Sequence, residues 1–245
     1  MFDIFRRKSK ELPQLFFHTD IHCHLIPGID DGQHDAVSAA GLVASEARWG
    51  IKRVFCTPHI TQGSFENTPE IIAGAFGRLQ QAVTDAGVDV ELDYSAEHRL
   101  DGFFRQQLEA GKLRPLPGGH LLVENSFMQE AWNLDQTLFD LQVRGFKPVL
   151  AHPERYPYYY NDRARYDMIH NAGTMFQINL LSLAGYYGKE EKRMAEWLIE
   201  RGLVDFVATD MHSRRHCEAI EAYMAGKDFR RHAQALEGRL KNDSL

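Results

Sequence analysis

The residues with most chemistry to offer are a pair of histidines, His22 and His24, separated only by Cys23, and a matching pair, Asp210 and His212, separated by Met211. On an extended strand, side chains two positions apart point the same way, so each pair can grip one ion while Cys23 faces away. His59, Glu97, Glu124 and His152 add four more side chains of ligand type. Neutral imidazole nitrogen combined with carboxylate oxygen suits zinc, manganese or iron; oxygen-only calcium or magnesium cages have no use for five histidines. The loop IPGIDDG follows the first pair and carries Asp30 and Asp31. A Gly-flanked acidic pair is commonly a solvated turn. Here its position favours Asp31 as a further ligand, with Asp30 as the fallback.

These residues matter because of where they fall. Seven β-rich runs, near 15–25, 52–59, 89–98, 120–127, 148–155, 174–183 and 205–212, alternate with helical patterns near 35–49, 69–86, 103–111, 133–144, 161–171 and 189–201, with another after 215. That rhythm predicts βαβ units around a parallel sheet. Over 35–49, Asp35 can cap the start, Val37, Ala40, Val43, Ala44 and Ala47 recur at helical spacing, and Gly50 closes the segment. Six of the seven runs end in a ligand-type residue. In a parallel barrel all C-terminal strand ends meet at one face, where active sites are built, so residues distant in sequence become neighbours.

Composition bounds the rest. A chain of 245 residues, 44% hydrophobic and 25% charged, is ordinary for one globular domain, and a single domain over 1–245 is expected. The net charge of -6 argues against a broad nucleic-acid footprint. Cys23, Cys56 and Cys217 show no paired spacing and read as reduced thiols in a cytoplasmic protein. No run is long and apolar enough for a signal peptide or a membrane span, so stable insertion is not expected. The short basic arm at about 1–14 reads as a packed or frayed terminus, with peripheral contact to an anionic membrane surface as the alternative.

The motifs DIHCHLIPGIDDG, TPH, SAEH, LLVEN, AHPERY and TDMH, in that order across nearly the whole chain, resemble the bacterial tyrosine phosphatases of the CpsB/CapC type, members of the polymerase and histidinol phosphatase (PHP) superfamily. The resemblance implies an α/β fold, a distorted seven-stranded βα barrel of TIM-like form, and two or three divalent ions, manganese first, with iron, zinc or magnesium as alternatives. Carried over by motif, His22, His24, Glu97 and Asp210 hold a first metal; Glu97, as bridge, Glu124 and His152 hold a second; Asp31, His59 and His212 hold a third. Typical members carry an arginine several residues beyond the last histidine, whereas this chain has Arg214 and Arg215 directly after Ser213, which leaves their contact with phosphate open.

The implied reaction is phosphotyrosine hydrolysis on a protein, the partner suggested by the resemblance being a bacterial tyrosine autokinase that controls capsular or exopolysaccharide synthesis. Two metals about 3.5–4 Å apart can share a water and lower its pKa toward neutral. Arg155, three residues past His152, is placed to hold the phosphoryl group through its bidentate fork; a structural salt bridge is the competing role. Tyr158 and Tyr159, within the cluster from Tyr156 to Tyr160, and Tyr186 with Tyr187 either face the substrate's ring or pack the loops. Cysteine-based phosphatase chemistry is excluded, because six positions beyond the three cysteines stand Ile29, Gln62 and Tyr223 rather than arginine. A small-molecule phosphatase, such as one acting on histidinol phosphate, and a non-catalytic metal-stabilised module are the other readings. An amidohydrolase lacks its bridging lysine where Glu97 stands.

Overall fold

The computed structural model describes residues 13–245, so the basic arm lies almost wholly outside the described residues. Among the described residues nine strands, every named pairing parallel, form two sheets. The first contains β1 (Thr19–Asp20), β2 (Arg53–Cys56) and β4 (Glu91–Tyr94) in that order. The second runs β3 (His59–Ile60), β5 (Glu97–Arg99), β6 (His120–Glu124), β7 (Lys147–Ala151), β8 (Met175–Asn179), β9 (Phe206–Ala208).

Seven runs were expected and nine strands are found, for a local reason. The second run breaks between β2 and β3 at Thr57 and Pro58, and proline brings no N–H to the ladder. The third breaks beside it, between β4 and β5 at Ser95 and Ala96. Backbone bonds continue across both breaks: Ser95 N–H donates to the Cys56 carbonyl at 2.9 Å, and Glu97 N–H to the Pro58 carbonyl at 3.0 Å. The ends of the order also meet. His24 N–H donates to the Met211 carbonyl at 3.0 Å and Asp210 N–H to the His22 carbonyl at 2.8 Å, so the segment after β9 lies beside the segment after β1.

Helices α1 (Ala36–Arg48), α2 (Pro69–Asp85), α3 (Gly102–Glu109), α4 (Leu134–Val143), α5 (Ala164–Asn171), α6 (Leu180–Leu183), α7 (Lys189–Arg201), α8 (Arg214–Met224) and α9 (Lys227–Leu236) intervene or follow. Their starts are written in the sequence: Asp35 accepts from Ser38 N–H, Thr68 precedes Pro69 in the first turn of α2, and Ser213 accepts from His216 N–H. Alternate strand residues feed two cores. Leu121, Val123, Leu150 and Val207 pack with the helices, whereas Leu122, Val149, Ala151, Phe206 and Ala208 join Ile21 and Phe55 in a smaller cluster among the strands themselves. The period-two alternation, apolar on both faces, is that of a parallel sheet covered on both sides.

Candidate metal centre

The last residue of β6, the segments just after β1, β7 and β9, and the first residues of β3 and β5, past the breaks that end β2 and β4, bring the ligand-type residues together. His22 Nε2 and His24 Nε2 face each other at 3.1 Å. Both lie near Glu97 Oε2, at 3.3 and 3.4 Å, and near Asp210 Oδ1, at 3.5 and 3.4 Å. Donors about 2.1 Å from a common centre in a tetrahedron stand about 3.4 Å apart, so His22, His24 and Asp210 fit one cation, with Glu97 at the same reach from both imidazoles. His152 Nε2 approaches the other Glu97 oxygen at 2.8 Å, which leaves Glu97 reaching to both sides as a bridge must.

His59 spans two groups. Its Nδ1 lies 2.9 Å from Glu97 Oε2 and 3.3 Å from Glu124 Oε1, while its Nε2 lies 3.6 Å from Asp31 Oδ1. His212 Nε2 is 3.5 Å from the same Asp31 oxygen, so Asp31, His59 and His212 converge, with His24 beside them. Glu124 therefore groups with His59 and Glu97, whereas His152 groups with His22 and Glu97. Despite these short approaches, Glu97 Oε2, Glu124 Oε2, His59 Nδ1 and His152 Nδ1 are buried without a hydrogen-bond partner. Stranded buried polar atoms cost free energy unless something satisfies them, and lone pairs that converge this way fit a cation.

The charges agree with that fit. Burial alone would depress the His59 imidazole, but the Glu97 charge and the close Glu124 carboxylate lift it to about 10. His24 is likewise raised against the cost of burial, chiefly through Asp210 and Asp30. Burial opposes ionisation of Glu97 and Asp210, yet the His22 charge and further imidazole contacts hold both well below the usual carboxylate range. Hydrogen bonding with His212 brings Asp31 to about 2. The carboxylates stay ionised inside the protein and demand positive charge, whether from protons on the histidines or from metal.

Neighbours aim the ligands. Gln177 donates its amide N–H to Asn179 at 2.7 Å, which leaves its oxygen to accept from His22 Nδ1 at 2.7 Å and turns His22 Nε2 inward. Asn179 in turn donates to Asp210 Oδ2 at 2.6 Å. Asp30 accepts from His24 Nδ1 at 2.8 Å and from the backbone of Gly32 and His59, so it orients ligands while Asp31 points to the cluster. Gly32 has to be glycine, because a Cβ there would lie 2.0 Å from the His24 carbonyl oxygen. Of the three non-glycine residues with left-handed backbone among the described residues, two are His152 (φ 35°) and Asp210 (φ 48°). Such conformations cost about 1–3 kcal/mol each and cluster where function requires them.

Arg155 stands over this cluster. Its Nη1 donates to Asp210 Oδ2 at 3.0 Å, and its guanidinium lies 3.9 Å from the Tyr187 ring centre and 4.6 Å from that of Phe127. The loop beneath it is pinned by buried Glu154, which accepts from Asn179 N–H and Ser182 Oγ. Other sequence candidates are placed differently. Tyr159 is buried with its hydroxyl donating to Glu130, and Tyr158 donates to the Ser126 carbonyl, so both pack loops. Arg214 pairs with Glu218 on the exposed side of α8, and Arg215 lies over Tyr186. A surface groove of about 450 Å³ between α3 and α4 gathers no comparable set of donors, so convergent chemistry rather than volume marks the centre.

The comparisons with known proteins point the same way. Residues 18–224 match the family model for capsular polysaccharide synthesis, CpsB/CapC. The chain is 31% identical over 214 residues to tyrosine-protein phosphatase YwqE of Bacillus subtilis, covering 86% of this chain and 84% of that protein. It is 30% identical over 202 residues to tyrosine-protein phosphatase CpsB of Streptococcus pneumoniae, covering 79% and 82%. Crystal structures of YwqE and CpsB are described as those of unique metal-dependent tyrosine phosphatases; one superposes with a TM-score of 0.75 at 28% identity, covering 91% of this chain and 95% of the other. With strand ends, histidines and carboxylates in this arrangement and a family match over most of its length, the chain belongs to the CpsB/CapC family of capsular polysaccharide synthesis.

Proposed function

We propose that this protein is a metal-dependent protein-tyrosine phosphatase, acting on a tyrosine-phosphorylated protein such as a bacterial tyrosine autokinase of capsule or exopolysaccharide synthesis. The observation that carries the reading is that His22 Nε2 and His24 Nε2 face each other at 3.1 Å and each lies 3.3–3.5 Å from both Glu97 Oε2 and Asp210 Oδ1, beneath an arginine. His22, His24, Glu97 and Asp210 would hold one ion, Glu97, Glu124 and His152 a second, and Asp31, His59 and His212 a third; the groupings of His22 with His24 and Asp210, and of Asp31 with His59 and His212, support the first and third. Manganese leads, with iron, zinc or magnesium as alternatives. On this reading the two sheets are one distorted seven-stranded barrel whose second and third strands are interrupted, and the protein works in the cytoplasm. No helix among the described residues is long and apolar enough to cross a membrane.

When bound, the ions supply Lewis acidity and an activated water for phosphomonoester hydrolysis. The chain's own groups do the rest. Glu97 and Asp210 keep their negative charge in a buried place because imidazoles surround them. Gln177 and Asp30 fix which nitrogen of His22 and His24 faces inward. Arg155, held by Asp210 and flanked by two rings, presents its remaining N–H groups to phosphoryl oxygens and steadies the charge that develops there.

Turnover of a phosphotyrosyl peptide against histidinol phosphate, with and without chelator, tests the reading. Hydrolysis of the peptide that stops on chelation and returns with a divalent ion is expected. Preference for histidinol phosphate favours the small-molecule alternative, and bound metal without turnover favours a non-catalytic module.

A further inference from the structure

Arg155 is flanked unequally. On one side the Tyr187 ring lies 3.9 Å from the guanidinium and spends its hydroxyl on Asp210 Oδ2 at 3.3 Å, so this residue braces the same carboxylate that holds the arginine. On the other side stands Phe127, on the loop after β6, with no polar atom to commit. Its ring lies 4.6 Å from the guanidinium and stacks on His152 with centroids 5.6 Å apart at 27°. Even so, it remains 38% exposed.

Trp132, on the same loop, is 86% exposed but lines the groove between α3 and α4, and the other aromatics near Arg155 are occupied. Tyr156 is fully buried and donates to the Ala151 carbonyl, and Tyr158 and Tyr159 bond within the loops. Tyr186 packs on His216. Phe65 stacks on His59 rather than on the arginine. Phe127 thus offers exposed aromatic surface beside the group that would hold phosphate. An ester substituent extends from the phosphoryl group by a single oxygen, which brings an aryl ring to the level of a residue flanking the anchor. A short polar alkyl ester has nothing to lay against it.

We propose that Phe127 is the wall on which the ring of an aryl phosphomonoester lies, so that the site selects aryl over alkyl phosphate esters at the binding step. The inference rests on the phosphatase reading above, with Arg155 as the phosphoryl anchor. Offset or edge contact between aromatic rings adds to area burial, and its loss reduces affinity several-fold.

The test is calorimetric titration of the metal-loaded protein with phenylphosphonate and methylphosphonate, neither of which can be hydrolysed as an ester. The wild type is expected to bind phenylphosphonate about 3–10-fold more tightly. Phe127→Ala should bring phenylphosphonate down to the level of methylphosphonate and leave the latter within about twofold, Phe127→Trp should restore the preference, and Phe65→Ala should keep it. Equal weakening of both ligands by Phe127→Ala means that Phe127 only holds Arg155, and the inference is overturned. It is also overturned if the wild type shows no preference, whereas loss of methylphosphonate binding in Arg155→Lys would still support the anchor. Failure of the wild type to bind either phosphonate or inorganic phosphate removes the phosphatase reading itself, and the inference with it.

Discussion

Two clusters of ligand-type side chains lie on either side of one short stretch of chain, and they differ in kind. Toward the centre, His22 and His24 meet Glu97, Asp210 and three further histidines. Toward α1, Cys23 meets Asp20 and Glu46, equally buried and close enough to share an ion. The first cluster mixes imidazoles with carboxylates, each holding the other charged, and opens outward through Asp31, whose side chain is 57% exposed. The second contains acids only. Burial raises Glu46 well above its usual value, the Asp20 charge adds to this, and Asp20 itself rises to about 6 with its oxygens engaged by Thr209. Closeness of donors therefore does not make a metal site. Complementary charge, access and neighbours that orient the ligands do.

The contrast is sharpest when both sides are cut. Glu97→Gln removes the charge shared among the grouped ligands, and phosphotyrosyl-peptide turnover should fall by more than the roughly 10–100-fold that loss of an orienting partner costs, with circular dichroism unchanged. A rate near wild type would take Glu97 out of the chemistry. Gln177→Ala frees His22 Nδ1 and should cost about 10–100-fold in metal affinity, read by titration with a competing chelator; Cys23→Ser, on the other face, should cost under about threefold. Equal losses in the two variants would erase the distinction drawn between the faces.

A smaller effect is expected at the anchor. Arg155→Lys keeps the positive charge and loses the fork, so kcat/KM should drop about 10-fold or more for aryl phosphates and phosphopeptides alike. Sparing of both substrates would leave Arg155 a structural partner of Asp210. Glu46→Gln should leave turnover unchanged and alter only the response of stability to pH. Glu46 titrates higher in the folded chain than its ordinary 4.5. Between those values the folded protein keeps a proton that the unfolded chain has lost, so wild-type stability falls as pH rises, by up to about 1.4 kcal/mol per unit. The glutamine variant lacks that loss, and its thermal midpoint should pull ahead of wild type above about pH 5 and match it below about pH 4. Parallel pH curves for the two proteins would mean that Glu46 is ionised when folded.

The βα rhythm and helix starts were legible because both depend on short-range rules: alternation, single Gly and Pro breaks, and capping residues such as Asp35. Other features depend on contacts the chain makes only when folded. The run at 174–183 divides into β8 and the one-turn α6, since a short buried apolar stretch has no periodicity to separate strand from helix. This sixth run carried no ligand-type residue, yet Gln177 and Asn179, two apart in an apolar strand, were its signal, because buried amides need partners. Tyr158 and Tyr159 stand out in the sequence as a cluster, whereas the rings that flank Arg155 are Tyr187 and Phe127, the latter with no aromatic neighbour in sequence to mark it. The choice between Asp30 and Asp31 also required geometry: adjacent in sequence, one orients His24 and the other faces His59 and His212.

Metal stoichiometry tests the central claim most directly. Plasma mass spectrometry on wild type, Glu97→Gln and Glu46→Gln, each purified without chelator, should find two or three divalent ions per chain in wild type and Glu46→Gln, and fewer in Glu97→Gln. Metal retained in full by Glu97→Gln but lost from Glu46→Gln would place the ions behind β1 and contradict the account, as would an active wild-type protein that contains none.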